Sequence, residues 1–214
     1  MKKVTVFLFV LFWGLTQIIA QELKAPFTEV QPVALNALKT FTKLITVSNY
    51  KEMGFDNLAD LKVAKLGTPI EDYMVPLDKL ANYKTSVSPA DILTKTNKIN
   101  YPVLVNDQAK SSITISMTNG KWGPVAFGGS KMIKLISEGL QKTKQSGVAA
   151  TSCFTVRIPA LNLYFIGYKS SDNLVLVPLF DDVSLGLKFG ESINADKVFS
   201  LISPIAKNHD GNPR

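Results

Sequence analysis

The stretch SITISMTNGKW, residues 112–122, decides how this chain is expected to fold. Apolar and hydroxyl-bearing residues alternate up to Met117, which is the period-two pattern of a half-buried strand. Asn119 and Gly120 follow, and this pair favours a two-residue hairpin turn because both positions tolerate positive φ. The stretch therefore predicts an antiparallel hairpin whose second strand covers residues 121–127.

Further strands and three helices are predicted on both sides of this hairpin. Pro102 indicates that one of the strands lies at a sheet edge, because proline has no N–H to donate. The fold class that follows is α+β, with mainly antiparallel sheet built from hairpins and the helices packed on one side. Alternation or short apolar runs predict strands at residues 70–75, 99–105, 112–118, 121–127, 153–158, 161–168, 174–179 and 185–189. Apolar spacings of three and four predict helices at residues 28–47, 131–145 and 194–207.

Two parts of the chain resemble each other, residues 127–137 and residues 189–203. In both, a Phe-Gly pair leads into an amphipathic segment that contains Leu-Ile-Ser. The similarity indicates either a duplicated strand-strand-helix unit or chance. The domain organisation predicted is an N-terminal α+β lobe at residues 21–148 and a strand-rich lobe at 149–214 that ends in a helix, or one domain over residues 21–214.

The first twenty residues have the layout of a secretory signal peptide. Lys2 and Lys3 precede an apolar run at residues 6–13, and Ala20 offers a small residue for cleavage. The run is shorter than the roughly 20 residues that span a bilayer, so cleavage is favoured over the alternative of a retained anchor. The sequence thus predicts a periplasmic or extracellular protein with no stable transmembrane anchor after cleavage.

The composition excludes several kinds of partner and chemistry. Removing residues 1–20 from the 214-residue chain leaves 194 residues and takes away two lysines, so the net charge falls from +7 to +5. The lysines are scattered and form no basic block with interleaved aromatics, so nucleic acid is not expected as a partner.

The counts of cysteine and histidine restrict catalysis. Cys153 is the single cysteine and His209 the single histidine, so an internal disulfide is impossible. We expect Cys153 to be a buried strand residue and His209 to lie in a frayed C-terminal tail. Triads of the Ser-His-Asp or Cys-His type and zinc sites are therefore not expected, and no metal or cofactor is predicted.

Carboxylates remain the main option for an enzyme. Glu71 and Asp72 are neighbours in a predicted strand, so they point to opposite faces and do not form a pair. Asp181 and Asp182 are expected in a turn, where aspartate makes local hydrogen bonds. A glycosidase pair assembled from distant positions, such as Glu71 with Asp182, stays open at this level.

One candidate anion site lies where the hairpin runs into the second long helix. Gly128, Gly129, Ser130 and Lys131 would place free backbone N–H groups, a hydroxyl and an ammonium group at a helix N-terminus. The alternative is a tight strand-to-helix turn in which Ser130 is only the helix cap.

Three aromatic residues are candidates for a ligand or partner face. Tyr164 and Tyr168 have the even spacing that places them on one face of a strand, and Trp122 follows the hairpin turn. The alternative is that these rings only pack on the sheet.

Several segments resemble a group of exported bacterial proteins of uncharacterised function. The similarity covers roughly residues 55–140 and is carried by residues 67–70, 75–80, 101–105, 110–115, 119–122 and 127–129. The doubled strand-strand-helix layout is also similar to that of the Tic22-like proteins, which are linked to chaperoning of outer-membrane precursors. Neither resemblance implies a catalytic residue.

The function favoured by these observations is non-catalytic. We expect an exported protein of the cell envelope that acts as a binding, scaffold or chaperone-like module, with an envelope protein or polymer as its partner. The alternatives are a carboxylate-dependent hydrolase acting on envelope glycans and an inhibitor of a secreted enzyme.

Overall fold

A computed structural model describes residues 25–171 and 173–210, so the predicted signal peptide lies outside the described residues. The helices are α1 (Ala25–Leu44), α2 (Leu77–Ala81), α3 (Ser130–Gln145) and α4 (Ala195–Lys207). Short 3-10 helices cover Leu58–Lys62, Pro89–Ile92, Ala150–Ser152 and Pro159–Leu161. The strands are β1 (Lys65–Leu66), β2 (Ile70–Met74), β3 (Thr94–Val105), β4 (Gln108–Thr118), β5 (Lys121–Gly128), β6 (Phe154–Ile158), β7 (Leu163–Ser170), β8 (Asn173–Pro178) and β9 (Ile193–Asn194).

These nine strands form one sheet in the order β5-β4-β3-β2-β6-β7-β8-β9, with β1 paired to the end of β3. Every pair of neighbours is antiparallel except β2 and β6, which run parallel with Asp72 opposite Thr155. The predicted α+β class with mainly antiparallel sheet is therefore confirmed. Because β2 and β6 are hydrogen-bonded neighbours, the sheet continues across the lobe boundary predicted at residue 148.

The long helices cover both faces of the sheet, which corrects the expectation that they pack on one side. Along β7, Phe165 packs with Val198 of α4, whereas the next residue, Ile166, packs with Ile133 of α3. Successive strand residues point to opposite faces, so α3 and α4 lie on opposite sides. We call the α3 side the front face. Helix α1 shares the back face with α4, and cover on both sides is needed because β7 and β8 are apolar on both faces.

Both parts of the chain contain a three-stranded antiparallel meander followed by a helix. The first is β3-β4-β5 with α3, and the second is β6-β7-β8 with β9 and α4. This matches the layout expected of a duplicated unit. The two helices pack on opposite faces, however, so the units are not equivalent in their packing.

Local features of the prediction have mixed outcomes. The hairpin is confirmed, with φ of 50° at Asn119 and 73° at Gly120. Pro102 was expected at a sheet edge but lies in the interior strand β3. It falls between the part of β3 that pairs with β2 and the part that pairs with β1, so its missing N–H costs no ladder hydrogen bond. The strand expected at residues 185–189 is a loop closed by a bridge between Asp182 and Leu187.

Candidate functional site

A groove of about 690 Å³ with a polar floor and an apolar wall lies on the front face beside α3. Its floor is formed by side chains of β2, β3, β4 and β6, and its wall includes the first half of α3. We call this the front groove. Its lining residues are Asp72, Lys98, Asn100, Ser112, Thr114, Ser116, Thr118, Val125, Ala126, Gly129, Met132, Ile133, Ile136, Thr155, Arg157, Tyr164, Phe165 and Leu179.

The floor is polar because the central strands alternate strictly between faces. On β4, Ile113 and Ile115 are fully buried under α1, whereas Ser112, Thr114 and Ser116 face the groove. Strand alternation thus places a row of hydroxyl groups where a second apolar layer would otherwise be expected. The front face of these strands therefore presents hydroxyl groups that can contact water or a polar ligand.

A buried carboxylate at the centre of the floor is bound by an arginine and lies beside two hydroxyl groups. Asp72 has a side chain only 4% exposed, and Arg157 binds it from the adjacent strand with Nε 2.9 Å from Oδ1 and Nη2 2.7 Å from Oδ2. Thr155 Oγ1 lies 2.9 Å from Oδ1 and Thr96 Oγ1 lies 2.8 Å from Oδ2. Each threonine hydroxyl has one proton to donate and also lies within 3.1 Å of a main-chain carbonyl, that of Glu71 for Thr155 and that of Asp72 for Thr96. The two bonds from Arg157 are therefore the fixed contacts of this carboxylate.

Lys98 lies beside this ion pair but does not take part in it. It lies directly opposite Asp72 in the β2–β3 register, where oppositely charged side chains normally pair. Yet no ion pair joins them within 4 Å, and Lys98 Nζ has no hydrogen-bond partner among residues 25–171 and 173–210. The groove therefore contains two cations and one anion, a net charge of one positive unit.

The hydroxyl groups of the floor are anchored to neighbouring acceptors. Thr114 Oγ1 donates to Asn100 Oδ1 at 2.8 Å, and Ser112 Oγ donates to the carbonyl of Gly128 at 2.6 Å. The bond from Thr114 orients the Asn100 side chain, whose Nδ2 has no partner within the described part of the chain. The groove thus presents fixed hydroxyl oxygens beside unused N–H donors.

The predicted anion cradle lies at one end of this groove. Gly129 lines the groove and is the N-cap of α3, with φ of 71° that glycine readily adopts. Ser130 begins the helix and is not its cap, which corrects the alternative reading, since no side chain caps this N-terminus. Of the four residues only Gly129 lines the groove, whereas Gly128 is buried and Lys131 is exposed.

The three predicted aromatic residues are not brought together. Tyr164 lines the front groove and makes an edge contact with Phe180 at 6.0 Å. Tyr168 shares that face as predicted, but it is 6% exposed within the α3 core and donates to Ser192. Trp122 packs on the back face beside α1. Only Tyr164 is available to a ligand in the groove.

The carboxylates considered for catalysis do not form a pair. Glu71 lies on the back face, where Lys95 binds it at 2.6 Å and Tyr73 donates to it. Asp182 lies in the loop after β8, where Oδ1 accepts from Ser184 Oγ and from the N–H of Leu185. This loop borders a second, smaller cavity of about 380 Å³. Local hydrogen bonding of the turn aspartates is what the sequence predicted.

The single thiol and the single imidazole occupy buried positions. Cys153 is buried, as expected, and burial raises the pKa of its thiol, which opposes thiolate formation. His209 does not lie in a frayed tail as expected, because its side chain is 1% exposed and its main-chain N–H donates to the carbonyl of Ala206. The helix α4 continues into a turn that packs the ring against the fold.

Sequence reasoning missed the groove residues Asp72, Lys98 and Arg157 as a cluster. One signal for them was available. Arg157 is the only arginine before the C-terminal residue in a chain whose other 22 cations are lysines, and it stands in the middle of a strand. Arginine is preferred over lysine where a carboxylate must be held by two parallel bonds, so its isolated use indicated a buried pair.

Comparisons with family models, curated proteins and solved structures give no match for this chain. Among residues 25–171 and 173–210, no helix combines the length and apolar character needed to cross a bilayer. Within the same residues, no group of three or more His, Cys, Asp or Glu side chains is placed to hold a metal ion.

Proposed function

We propose that the protein is an exported, non-catalytic binding module of the cell envelope and that the front groove is its binding site. The observation that carries the proposal is the ion pair of Asp72 with Arg157. Asp72 is the one carboxylate lining the groove among the described residues, and Arg157 binds both of its oxygens. Hydrolysis by carboxylates generally needs two of them flanking the bond that breaks, so binding is the chemistry that this groove favours.

A glycan hydrolase is the alternative that this geometry disfavours. Glycosidases use two carboxyl groups that flank the scissile bond. In this chain Glu71 opens to the back face and Asp72 to the front face, and Asp182 is engaged in its own loop. Hydrolysis would require a second acid on the groove floor.

Export is supported by the basic start, the apolar run and the small residue at the end of residues 1–20. Fractionation of expressing cells, followed by mass measurement of the purified protein, tests it. We expect a mature chain that begins at Gln21 in the periplasmic or medium fraction. Cytosolic protein that retains residues 1–20 would contradict export.

Binding is tested by sedimentation of the mature protein with insoluble peptidoglycan. Thr114→Trp fills the middle of the groove, and Asn100→Leu removes its amide while keeping a similar volume. Thr151→Trp is the matched control, since Thr151 is exposed and lies outside the groove. We expect wild type and Thr151→Trp to sediment with the polymer and both groove variants to stay in solution with unchanged circular dichroism.

Sedimentation that none of these folded variants alters would overturn the assignment of the groove. The same incubations are assayed for new reducing ends. Reducing ends that appear with wild type and disappear with Asp72→Asn would overturn the non-catalytic proposal.

A further inference from the structure

We propose that the ligand of the front groove is an acidic oligosaccharide, that is, a sugar chain carrying carboxylate groups. This inference rests on the proposed function and names the chemical class that its binding site takes. It is carried by the unpaired lysine of the groove and by the hydroxyl and amide groups around that lysine.

The charge of the groove calls for an anion. Asp72 neutralises one cation, and that cation is Arg157, which binds it with two parallel hydrogen bonds. Lys98, opposite Asp72 on β3, makes no ion pair with this carboxylate. An ammonium group at a partly buried position gains most from a ligand oxygen that carries charge. Arg157 Nη1 makes no hydrogen bond to Asp72, so it is a further donor for a ligand.

The neutral lining matches sugar hydroxyl groups. A hydroxyl both donates and accepts, so it pairs with the oxygens of Ser and Thr and with an amide. Ser112, Thr114, Ser116 and Thr118 form a row along β4, and the Asn100 amide stands beside it. Ser112 and Thr114 already donate to protein acceptors, so their oxygens are left to accept from a ligand.

The shape and one wall of the groove agree with this class. A volume of about 690 Å³ falls in the range of sites that enclose an extended small ligand, roughly 300–1,000 Å³. Tyr164 is half-buried at the β7 side and presents a flat ring with a polar tip. An apolar peptide would instead leave the Lys98 ammonium group desolvated without a partner, which is unfavourable.

The experiment uses isothermal titration calorimetry on the mature protein with three probes. These are trigalacturonate, its methyl-esterified form, which has the same sugar hydroxyls and no charge, and inorganic phosphate. The groove variant is Lys98→Gln. The control is Lys169→Gln, which removes the same charge from an exposed residue of β7 that is outside the groove. Neither lysine makes a side-chain hydrogen bond or an ion pair within the described residues, so glutamine at either position removes no such contact, and melting temperatures verify the fold.

We expect trigalacturonate to bind at least tenfold more tightly than its ester and Lys98→Gln to weaken trigalacturonate about tenfold, because a charge-assisted hydrogen bond is lost. Lys169→Gln should leave the affinity unchanged. Equal binding of the ester would overturn the requirement for an anion, and equal binding of phosphate would overturn the requirement for a sugar. If no probe binds while peptidoglycan still sediments the protein in a groove-dependent way, the ligand class is wrong and the proposed function stands.

Discussion

Arg157 on β6 holds Asp72 on β2 across the single parallel junction of the described sheet, although the two residues are 85 positions apart in sequence. The guanidinium keeps partial access to solvent, with 29% of its side chain exposed, whereas the carboxylate has almost none. The pair therefore joins the β1–β5 part of the sheet to the β6–β9 part, and it does so in the floor of the front groove.

Breaking this pair is expected to destabilise the protein strongly. Arg157→Met should lower the free energy of unfolding by about 3 kcal/mol, because it leaves a buried charge without its partner. The double variant Asp72→Leu with Arg157→Met should lose less than Arg157→Met alone, since no charge is stranded. Urea denaturation measures both.

The pair of Lys95 and Glu71 on the back face is more accessible to solvent than that of Arg157 and Asp72, so it provides the control. Lys95→Met should cost less than about 1 kcal/mol, because ion pairs that water reaches contribute little. A loss from Arg157→Met no larger than that from Lys95→Met would show that Asp72 does not depend on Arg157.

Removing a buried hydroxyl that has no partner should stabilise the core under α1. Tyr101 is fully buried, and its Oη has no hydrogen-bond partner in the described part of the chain. Tyr101→Phe should raise the free energy of unfolding by about 1 kcal/mol, since desolvating an unpaired polar group is costly. Tyr83→Phe should do the opposite, because the Tyr83 hydroxyl donates to Asp196. Destabilisation of both variants by the same amount would contradict this distinction.

Stability should fall at alkaline pH because several tyrosines keep their protons in the fold. Burial raises the pKa of Tyr101 to about 12, and burial together with the Glu71 charge raises the pKa of Tyr73 to about 12. Burial, with the hydrogen bond to Asp196, also raises the pKa of Tyr83. Unfolded tyrosine ionises near a pH of about 10. Above that pH the unfolded state loses protons that the native state retains, so the free energy of unfolding decreases between about pH 10 and 12.

Urea midpoints at pH 9, 10 and 11 measure this decrease, and absorbance at the tyrosinate band follows ionisation. The slope should become shallower in Tyr101→Phe, whose contribution to the titration is removed. An unchanged slope in that variant would mean that Tyr101 ionises equally in both states.

A methyl group added at Gly167 should disrupt the back-face core. An ideal Cβ there would lie 2.6 Å from Cε2 of Phe154 and 2.9 Å from Cγ2 of Val156, on the neighbouring strand β6. Gly167→Ala should therefore lower the melting temperature, with a cost of about 1–3 kcal/mol from overpacking. Gly123→Ala on β5 is the control, because its Cβ would meet nothing within 4 Å. Equal melting temperatures for both variants would show that the Phe154 ring moves aside freely.

Features set by neighbouring residues could be predicted from sequence, and features set by distant pairing could not. The alternation of residues 112–118 and the Asn119-Gly120 turn are local, and so is the cap at Asn194, whose Oδ1 accepts from the N–H of Asp196 at 2.8 Å. The groove depends on β2 lying between β3 and β6. Nothing near Asp72 in the sequence indicates Arg157 as its partner, so the charge left on Lys98 could not be foreseen.

The placement of α3 shows the same limit. Its apolar stripe predicts a buried face, and residues 130–145 are helical almost as predicted. The apolar stripe does not indicate which side of the sheet the helix covers. That choice follows from Ile166 and Val177, front-face residues of β7 and β8 that need cover in the second half of the chain.

The position of β2 also determines at which stage of folding the front groove can bind a ligand. Its ladder to β6 brings together segments about 83 residues apart, and such non-local contacts form slowly because a long loop must close first. The β3-β4-β5 meander can assemble early from local contacts alone. The groove floor, which includes Lys98 and Asn100, stays incomplete until β6 pairs with β2 and adds Thr155 and Arg157. Ligand affinity should therefore appear only in the last kinetic phase of refolding.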